Sequence, residues 1–257
     1  RCEELRAQGR AAWIRSRTGL LLDPYFSATK IEWMLANRSG LRDMAEQGRV
    51  VFCTVDALLL QHLTAGQTLA TDPTNASRTM LYDLRSRAWS AELGDLFGID
   101  PNWLPPVLPS AGDFGEAQLP DGRRVSIRGS AGDQQAALFG QGCFEAGSLK
   151  STYGTGCFLL LLTGRCLVES QRGLLSTVAV ARDGGPAYAL EGSVFAAGSI
   201  LQWLRDGLGI LGHAGESEAL ARSVDDSDGV FLIPAFSGLG APWWDAGARA
   251  ALLGLSR

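Results

Sequence analysis

Residues Ala131 to Gln141 read AGDQQAALFGQ, and residues Thr152 to Phe158 read TYGTGCF. The first stretch places Gly132-Asp133 at the head of a helical pattern over Gln134–Gly140. A carboxylate held where a helix opens beside a strand end can point into a cleft. There it could take a proton from a substrate hydroxyl, the task that phosphoryl transfer to an alcohol sets a general base. The same position also suits an ordinary helix N-cap. The second stretch joins two β-rich runs, Lys150–Tyr153 and Cys157–Thr163, through the tight-hairpin signal Gly154-Thr155-Gly156. Backbone N–H groups in such a turn, with the Thr155 hydroxyl, can cradle a phosphate, and they can equally form a plain hairpin.

Working outward, the chain alternates helical and β-rich patterns. Residues 1–16 read as the tail of a helix, and Ser27 to Asn37 as a second helix with Ser27 as its N-cap. Val50–Val55 is a short β-rich run, followed by a helix over Asp56–Leu63 with Asp56 placed to cap it. Residues 71–90 are turn-rich, Trp89-Ser90 opens a helix through Leu96, and Pro101, Pro105, Pro106 and Pro109 mark a connection. Beyond Gly147 the pattern gives a further strand over Ala187–Leu190, a long helix over Val194–Leu208, and a strand over Val230–Phe236. A Gly-rich loop follows, in which Trp243 and Trp244 either line a ligand cleft or pack the loop. The texture changes near residue 142. We place a domain boundary there, giving segments 1–142 and 143–257.

Composition narrows the function classes. The 257 residues are 46% hydrophobic and 19% charged, with a formal net charge of −4. That is material for two domains or one large one, and such a chain has no electrostatic reason to seek nucleic acid. The apolar run Cys157–Leu162 is far shorter than the ~20 residues a membrane span needs. Five cysteines and two histidines show no metal-knuckle spacing, so no protein-held metal is expected and the thiols are expected reduced. No Gly-x-x-x-x-Gly-Lys-Ser/Thr phosphate loop occurs. Arg1 falls inside a helical pattern and Arg257 just follows an apolar run, so both ends read as cut.

The stretches Leu22 to Lys30, Asp72 to Leu81, Ala131 to Gln141, Thr152 to Phe158, Tyr188 to Phe195, Gln202 to Gly207 and Pro234 to Arg257 together resemble the FGGY carbohydrate kinases, and among them the members that phosphorylate glycerol. The resemblance runs in the family's order across essentially the whole chain. It implies an α/β, actin-like (ribonuclease-H-like) two-domain kinase, of which the chain would hold most of the first domain and the start of the second. It implies ATP and Mg²⁺ as cofactors, glycerol as acceptor, a cytoplasmic location and a homodimer or homotetramer. At matching positions Asp133 is similar to the catalytic base. Gln134 and Tyr25 are similar to glycerol ligands, and Phe158 to the wall against the glycerol carbons. Thr155, Gly198 and Gln202 are similar to nucleotide-side residues.

Departures accompany the resemblance. The family's first phosphate hairpin and its early substrate contacts would precede Arg1, and its adenosine glycines would follow Arg257. The polypeptide alone is therefore expected to be inactive. Trp243 stands where a tyrosine is common. The loop Leu119–Arg124 is shorter than the one some bacterial members use for sugar-bisphosphate control, which leaves Arg124 as a possible anion ligand. Two alternatives stay open: a kinase for another polyol or sugar of the family, and a non-catalytic actin-like regulatory protein. The carboxylate at Asp133 counts against the second.

Overall fold

The helical pattern at the start of the chain breaks at Gly9, whose φ of +70° glycine adopts without steric cost. Two helices result, α1 (Cys2–Ala7) and α2 (Ala11–Thr18), in place of one. The computed structural model describes residues 1–256; Arg257, the last residue of the Pro234 to Arg257 stretch, lies outside them. Helix α3 (Ser27–Asn37) is followed by α4 (Leu41–Glu46) and α5 (Val55–Leu63). Their starts differ from expectation. Phe26, in extended conformation, occupies the N-cap of α3, and Ser27 is the first helical residue. Thr54 occupies the N-cap of α5, while Asp56 accepts the Thr71 hydroxyl at 2.6 Å. The β-rich run before α5 forms no strand. Its backbone instead bonds from Phe52 N–H to the Trp103 carbonyl at 2.8 Å.

The turn-rich segment holds a four-residue helix α6 (Pro73–Ala76) and a hairpin of β1 (Tyr82–Asp83) with β2 (Ala88–Trp89). Ser90 caps α7 (Ala91–Phe97), accepting the Leu93 N–H on its hydroxyl. A short 3-10 turn, Pro101–Trp103, interrupts the proline-rich connection. A second hairpin pairs β3 (Glu116–Gln118) with β4 (Arg124–Ser126), and α8 (Asp133–Gly140) follows. Next come β5 (Leu149–Tyr153), β6 (Cys157–Gly164), β7 (Leu175–Val178) and β8 (Tyr188–Val194), then α9 (Gly198–Asp206), α10 (Glu216–Arg222), β9 (Phe231–Ile233) and β10 (Ala251–Leu253).

The chain divides into two compact units. Residues 1–148, 161–169 and 175–190 make the first; residues 149–160, 170–174 and those from Glu191 on make the second. Strands β6 and β8 each contribute residues to both. In the first unit the strand order is β6–β8–β7, with β7 buried along its whole length. Its core gathers Ala76, Tyr82, Leu84, Val178 and Tyr188, with Trp89 and Leu167 packed alongside. The Tyr188 hydroxyl donates to the Leu84 carbonyl at 2.9 Å, so this ring buries its apolar body with its polar tip satisfied. In the second unit the order is β5–β6–β8, and β9 pairs with β10 in antiparallel register, Leu232 opposite Leu252.

All five cysteines are free: Cys2, Cys143 and Cys157 are buried, and Cys53 and Cys166 exposed. Among the described residues no helix is long and apolar enough to cross a membrane.

Candidate active site

Asp133 is the first residue of α8, with Gly132 at the N-cap. Two anchors fix this helix start. The Gly132 carbonyl accepts the Ala136 N–H at 2.8 Å, and the Gly132 N–H donates to Thr74 Oγ1 at 2.7 Å. The Thr74 hydroxyl in turn donates to the carboxylate of Asp72, 2.8 and 2.9 Å from its two oxygens. Asp72 also caps α6, accepting the Thr74 and Asn75 N–H groups, and it takes the Ser110 hydroxyl at 2.5 Å. Asp72 and Thr74 are both fully buried. A buried carboxylate surrounded by donors is a rigid support, because each lost partner would leave a desolvated charge. Two positions further along α8, buried Gln135 donates to Thr177 Oγ1 at 3.1 Å. The supports are thus buried while Asp133 itself is exposed, with its Oδ2 accepting from Gln134 Nε2 at 3.1 Å.

Tyr25 belongs to the same unit. Its N–H donates to Asp23 Oδ1 at 2.8 Å, and Lys30 Nζ donates to its carbonyl at 2.8 Å. The Lys30 ammonium also lies 5.9 Å from the ring centroid, within cation–π reach. The backbone is pinned while the ring is 68% exposed, which leaves the hydroxyl open to a ligand.

Thr155, Phe158, Gly198 and Gln202 lie in the second unit. The Gly154–Gly156 turn, bridged by Gly154 N–H to the Gly156 carbonyl at 2.8 Å, docks on the start of α9. The Thr155 carbonyl accepts the Ala197 N–H at 2.8 Å and the Ser199 hydroxyl at 3.0 Å, and the Gly154 carbonyl accepts the Gly198 N–H at 2.9 Å. Orphan donors at a helix start are thereby satisfied by the hairpin. The contact is close enough to exclude side chains. A Cβ on Gly198 would stand 2.6 Å from the Gly154 oxygen, and one on Gly156 2.5 Å from the Val194 oxygen. The helix start therefore lies later than the expected Val194, whose residue still belongs to β8. Gln202, exposed, sits one turn after Gly198 on the same helix face.

Lys150 was not singled out by sequence reasoning. It is 1% exposed, and its Nζ donates to Thr152 Oγ1 at 2.9 Å and to the Phe158 carbonyl at 3.3 Å, tying both arms of the hairpin. The signal available was a lysine inside a β-rich run. Gly207, Gly209 and Gly212 have the Gly-x-Gly-x-x-Gly spacing, which the sequence had been read as lacking. They follow a helix, α9, rather than a strand, so the dinucleotide-binding context is missing. Trp244 packs its loop, with Nε1 donating to the Gly173 carbonyl at 2.5 Å, while Trp243 is exposed. Arg124 faces Glu116 at 3.6 Å in an exposed pair.

A family model described as the N-terminal domain of the FGGY family of carbohydrate kinases matches residues 1–140, and its C-terminal counterpart matches residues 149–257. The chain belongs to the FGGY family of carbohydrate kinases. Within it, the chain is 53% identical over 257 residues to glycerol kinase of Shewanella pealeana, and 52% identical over 258 residues to glycerol kinase of a Polaromonas species. Each match covers 100% of this chain and 52% of the relative, so the chain spans about half the length of the curated relatives it matches. Among solved structures, Plasmodium falciparum glycerol kinase with ADP superposes with a TM-score of 0.87 at 36% identity, covering 100% of this chain and 52% of that one. Xylulose kinase of Lactobacillus acidophilus, at 19% identity and a TM-score of 0.83, over 99% of this chain and 51% of that one, shares the FGGY fold.

The Gly154–Gly156 turn lies in the second unit. The turn is glycine-flanked, and the exposed Thr155 hydroxyl makes no hydrogen bond among the described residues. Among the described residues no cluster of three or more His, Cys, Asp or Glu side chains is arranged to hold a metal.

Proposed function

We propose that the chain carries the catalytic base, part of the acceptor site and one flank of the nucleotide site of an ATP-dependent glycerol kinase. Asp133 carries the proposal. It is an exposed carboxylate at the head of α8, on a backbone fixed by buried Thr74 and Asp72. The identity above 50% with glycerol kinases across the whole chain supports glycerol over other acceptors.

In the reaction, a primary hydroxyl of glycerol attacks the γ-phosphorus of ATP. The new O–P bond forms as the bond to the β,γ-bridging oxygen breaks, ADP departs, and the hydroxyl proton passes to the Asp133 carboxylate. Gln134 and the Tyr25 hydroxyl orient the other glycerol hydroxyls, and Phe158 offers an apolar wall to the carbons. A small polyol is selected strongly this way, because an analogue lacking a hydroxyl leaves polar groups unpaired. Thr155 meets the nucleotide phosphates, and Gly198 and Gln202 lie on the nucleotide side. Mg²⁺, carried with the nucleotide, would neutralise charge on the phosphates. Residues 1–142, joined by Phe158, serve the acceptor side, and the rest of residues 143–257 the nucleotide side. A cytoplasmic, oligomeric enzyme, dimer or tetramer, completes the proposal.

The test is glycerol-dependent ADP release from Mg-ATP by a protein of the relatives' full length that contains this chain, with ³¹P detection of the ester product. Release that needs glycerol supports the proposal. Release driven only by another polyol or sugar would reassign the acceptor.

A further inference from the structure

A cavity of about 200 Å³ lies within the first unit, remote in sequence from Asp133, between the β1–β2 hairpin and the chain segments 107–111 and 179–185. It is lined by Tyr82, Arg87, Val107, Pro109, Val180 and Gly185, among others. Tyr82 is 1% exposed, yet its hydroxyl finds no hydrogen-bond partner among the described residues. Buried hydroxyls almost always find one, so an unpaired hydroxyl on a residue that lines a cavity marks a place for something that accepts a hydrogen bond. Burial raises the pKa of Tyr82 above its ordinary value, with the charge and the close approach of the Arg87 side chain acting in the opposite sense, so the phenol keeps its proton to donate at neutral pH.

Arg87 supplies the second half. It is a non-glycine residue at φ +55°, a left-handed conformation that costs energy and persists only where its surroundings hold it. The turn does so: the Arg87 N–H donates to the Asp83 carbonyl at 2.8 Å, and Asp83 Oδ1 takes the N–H groups of Arg85 and Ser86. The half-buried Arg87 guanidinium has no ion-pair partner among the described residues, whereas Arg17 nearby in the fold is bound to Asp83 and Glu92. The charge of Asp72 also reaches Tyr82, but both its oxygens are occupied by donors from Thr74, Asn75 and Ser110. A guanidinium fork without a carboxylate partner, close beside a buried phenol, suits an oxyanion with several acceptor oxygens. The apolar wall of Val107, Pro109 and Val180 leaves room for a short carbon stem. At this size the cavity takes a ligand smaller than the usual range of about 300–1,000 Å³ admits.

We propose that this cavity binds a phosphate group, as the free ion or as a small phosphate monoester, through Arg87 and the Tyr82 hydroxyl. The site is independent of the kinase assignment. Calorimetric titration of the chain with inorganic phosphate and, separately, with ethyl phosphate tests it, using the wild type, Arg87→Gln and Tyr82→Phe. Both variants are expected to fold, since Tyr82→Phe keeps the buried ring and Arg87 is only half-buried; thermal unfolding checks this. Loss of the guanidinium is expected to weaken binding about tenfold or more, and loss of the phenol hydroxyl by a smaller factor. Tighter binding of ethyl phosphate than of phosphate assigns the apolar wall to a carbon stem, and the reverse assigns the site to the free ion; either supports the proposal. Failure of both ligands to bind at millimolar concentration, or equal binding by wild type and Arg87→Gln, overturns it and leaves the cavity to water.

Discussion

The hydroxyl of Thr74 accepts the backbone N–H of Gly132 at 2.7 Å across 58 positions of sequence, and donates its own proton to the buried carboxylate of Asp72. The residue that follows Gly132 is Asp133, so the proposed base stands on a hydrogen bond from the interior rather than on its own contacts. Replacing Thr74 by Val keeps the shape and removes the hydroxyl. It leaves a backbone donor and a buried carboxylate each short of a partner, which should cost about 2–3 kcal/mol of stability. Urea unfolding of the chain measures this, and Thr74→Ser is expected to recover most of the loss.

Gly198 admits no side chain where the Gly154–Gly156 turn docks on α9, since a Cβ would stand 2.6 Å from the Gly154 oxygen. Gly198→Ala must therefore push the turn and helix apart. On the proposed function it should weaken binding of a nonhydrolysable ATP analogue by about tenfold while a polyol's binding changes little, because the displaced group is Thr155. Unchanged nucleotide binding would remove the hairpin from the nucleotide site.

Cys53 is exposed as a residue, but desolvation of its thiol, with the charge of Asp56 as a second cause, raises its pKa above the ordinary value. The thiolate is the reactive form. Alkylation of Cys53 by iodoacetamide at pH 8 should be slower than that of a free cysteine and should quicken as pH rises further. Asp56→Asn should speed it by removing a negative charge that disfavours the thiolate. Mass spectrometry after timed quenching separates Cys53 from Cys166.

The elements that bear on function were the legible ones. Gly132-Asp133 and Gly154-Thr155-Gly156 announce themselves because glycine punctuation beside apolar runs leaves few backbone options, and β5, β6 and α8 fall within a residue or so of their expected limits. What sequence hid was long-range. Val50–Val55 has strand-forming residues, yet no partner strand lies beside it, and Thr54 is taken up at the start of α5. Strand β7 reads as an unremarkable Leu-Ser-Thr-Val, and is a strand because β8 pairs with it. The long helix expected from Val194 starts at Gly198, because the hairpin carbonyls occupy its first donors. The supports of Asp133 were hidden for the same reason: Asp72 and Thr74 fall in a stretch that reads only as turn-rich, and the bond from Gly132 to Thr74 exists only in the fold.

The most direct measurement is steady-state turnover of glycerol with Mg-ATP by Asp133→Asn, beside the wild type, in a protein of the relatives' full length. Asparagine keeps the shape and hydrogen-bonding reach of the side chain but takes up no proton. The account predicts a fall in kcat of about 10²–10⁴-fold, the range for a lost general base, with ATP-analogue binding and thermal stability retained. Turnover within a few-fold of wild type would contradict it, since the proton of the glycerol hydroxyl would then be going elsewhere.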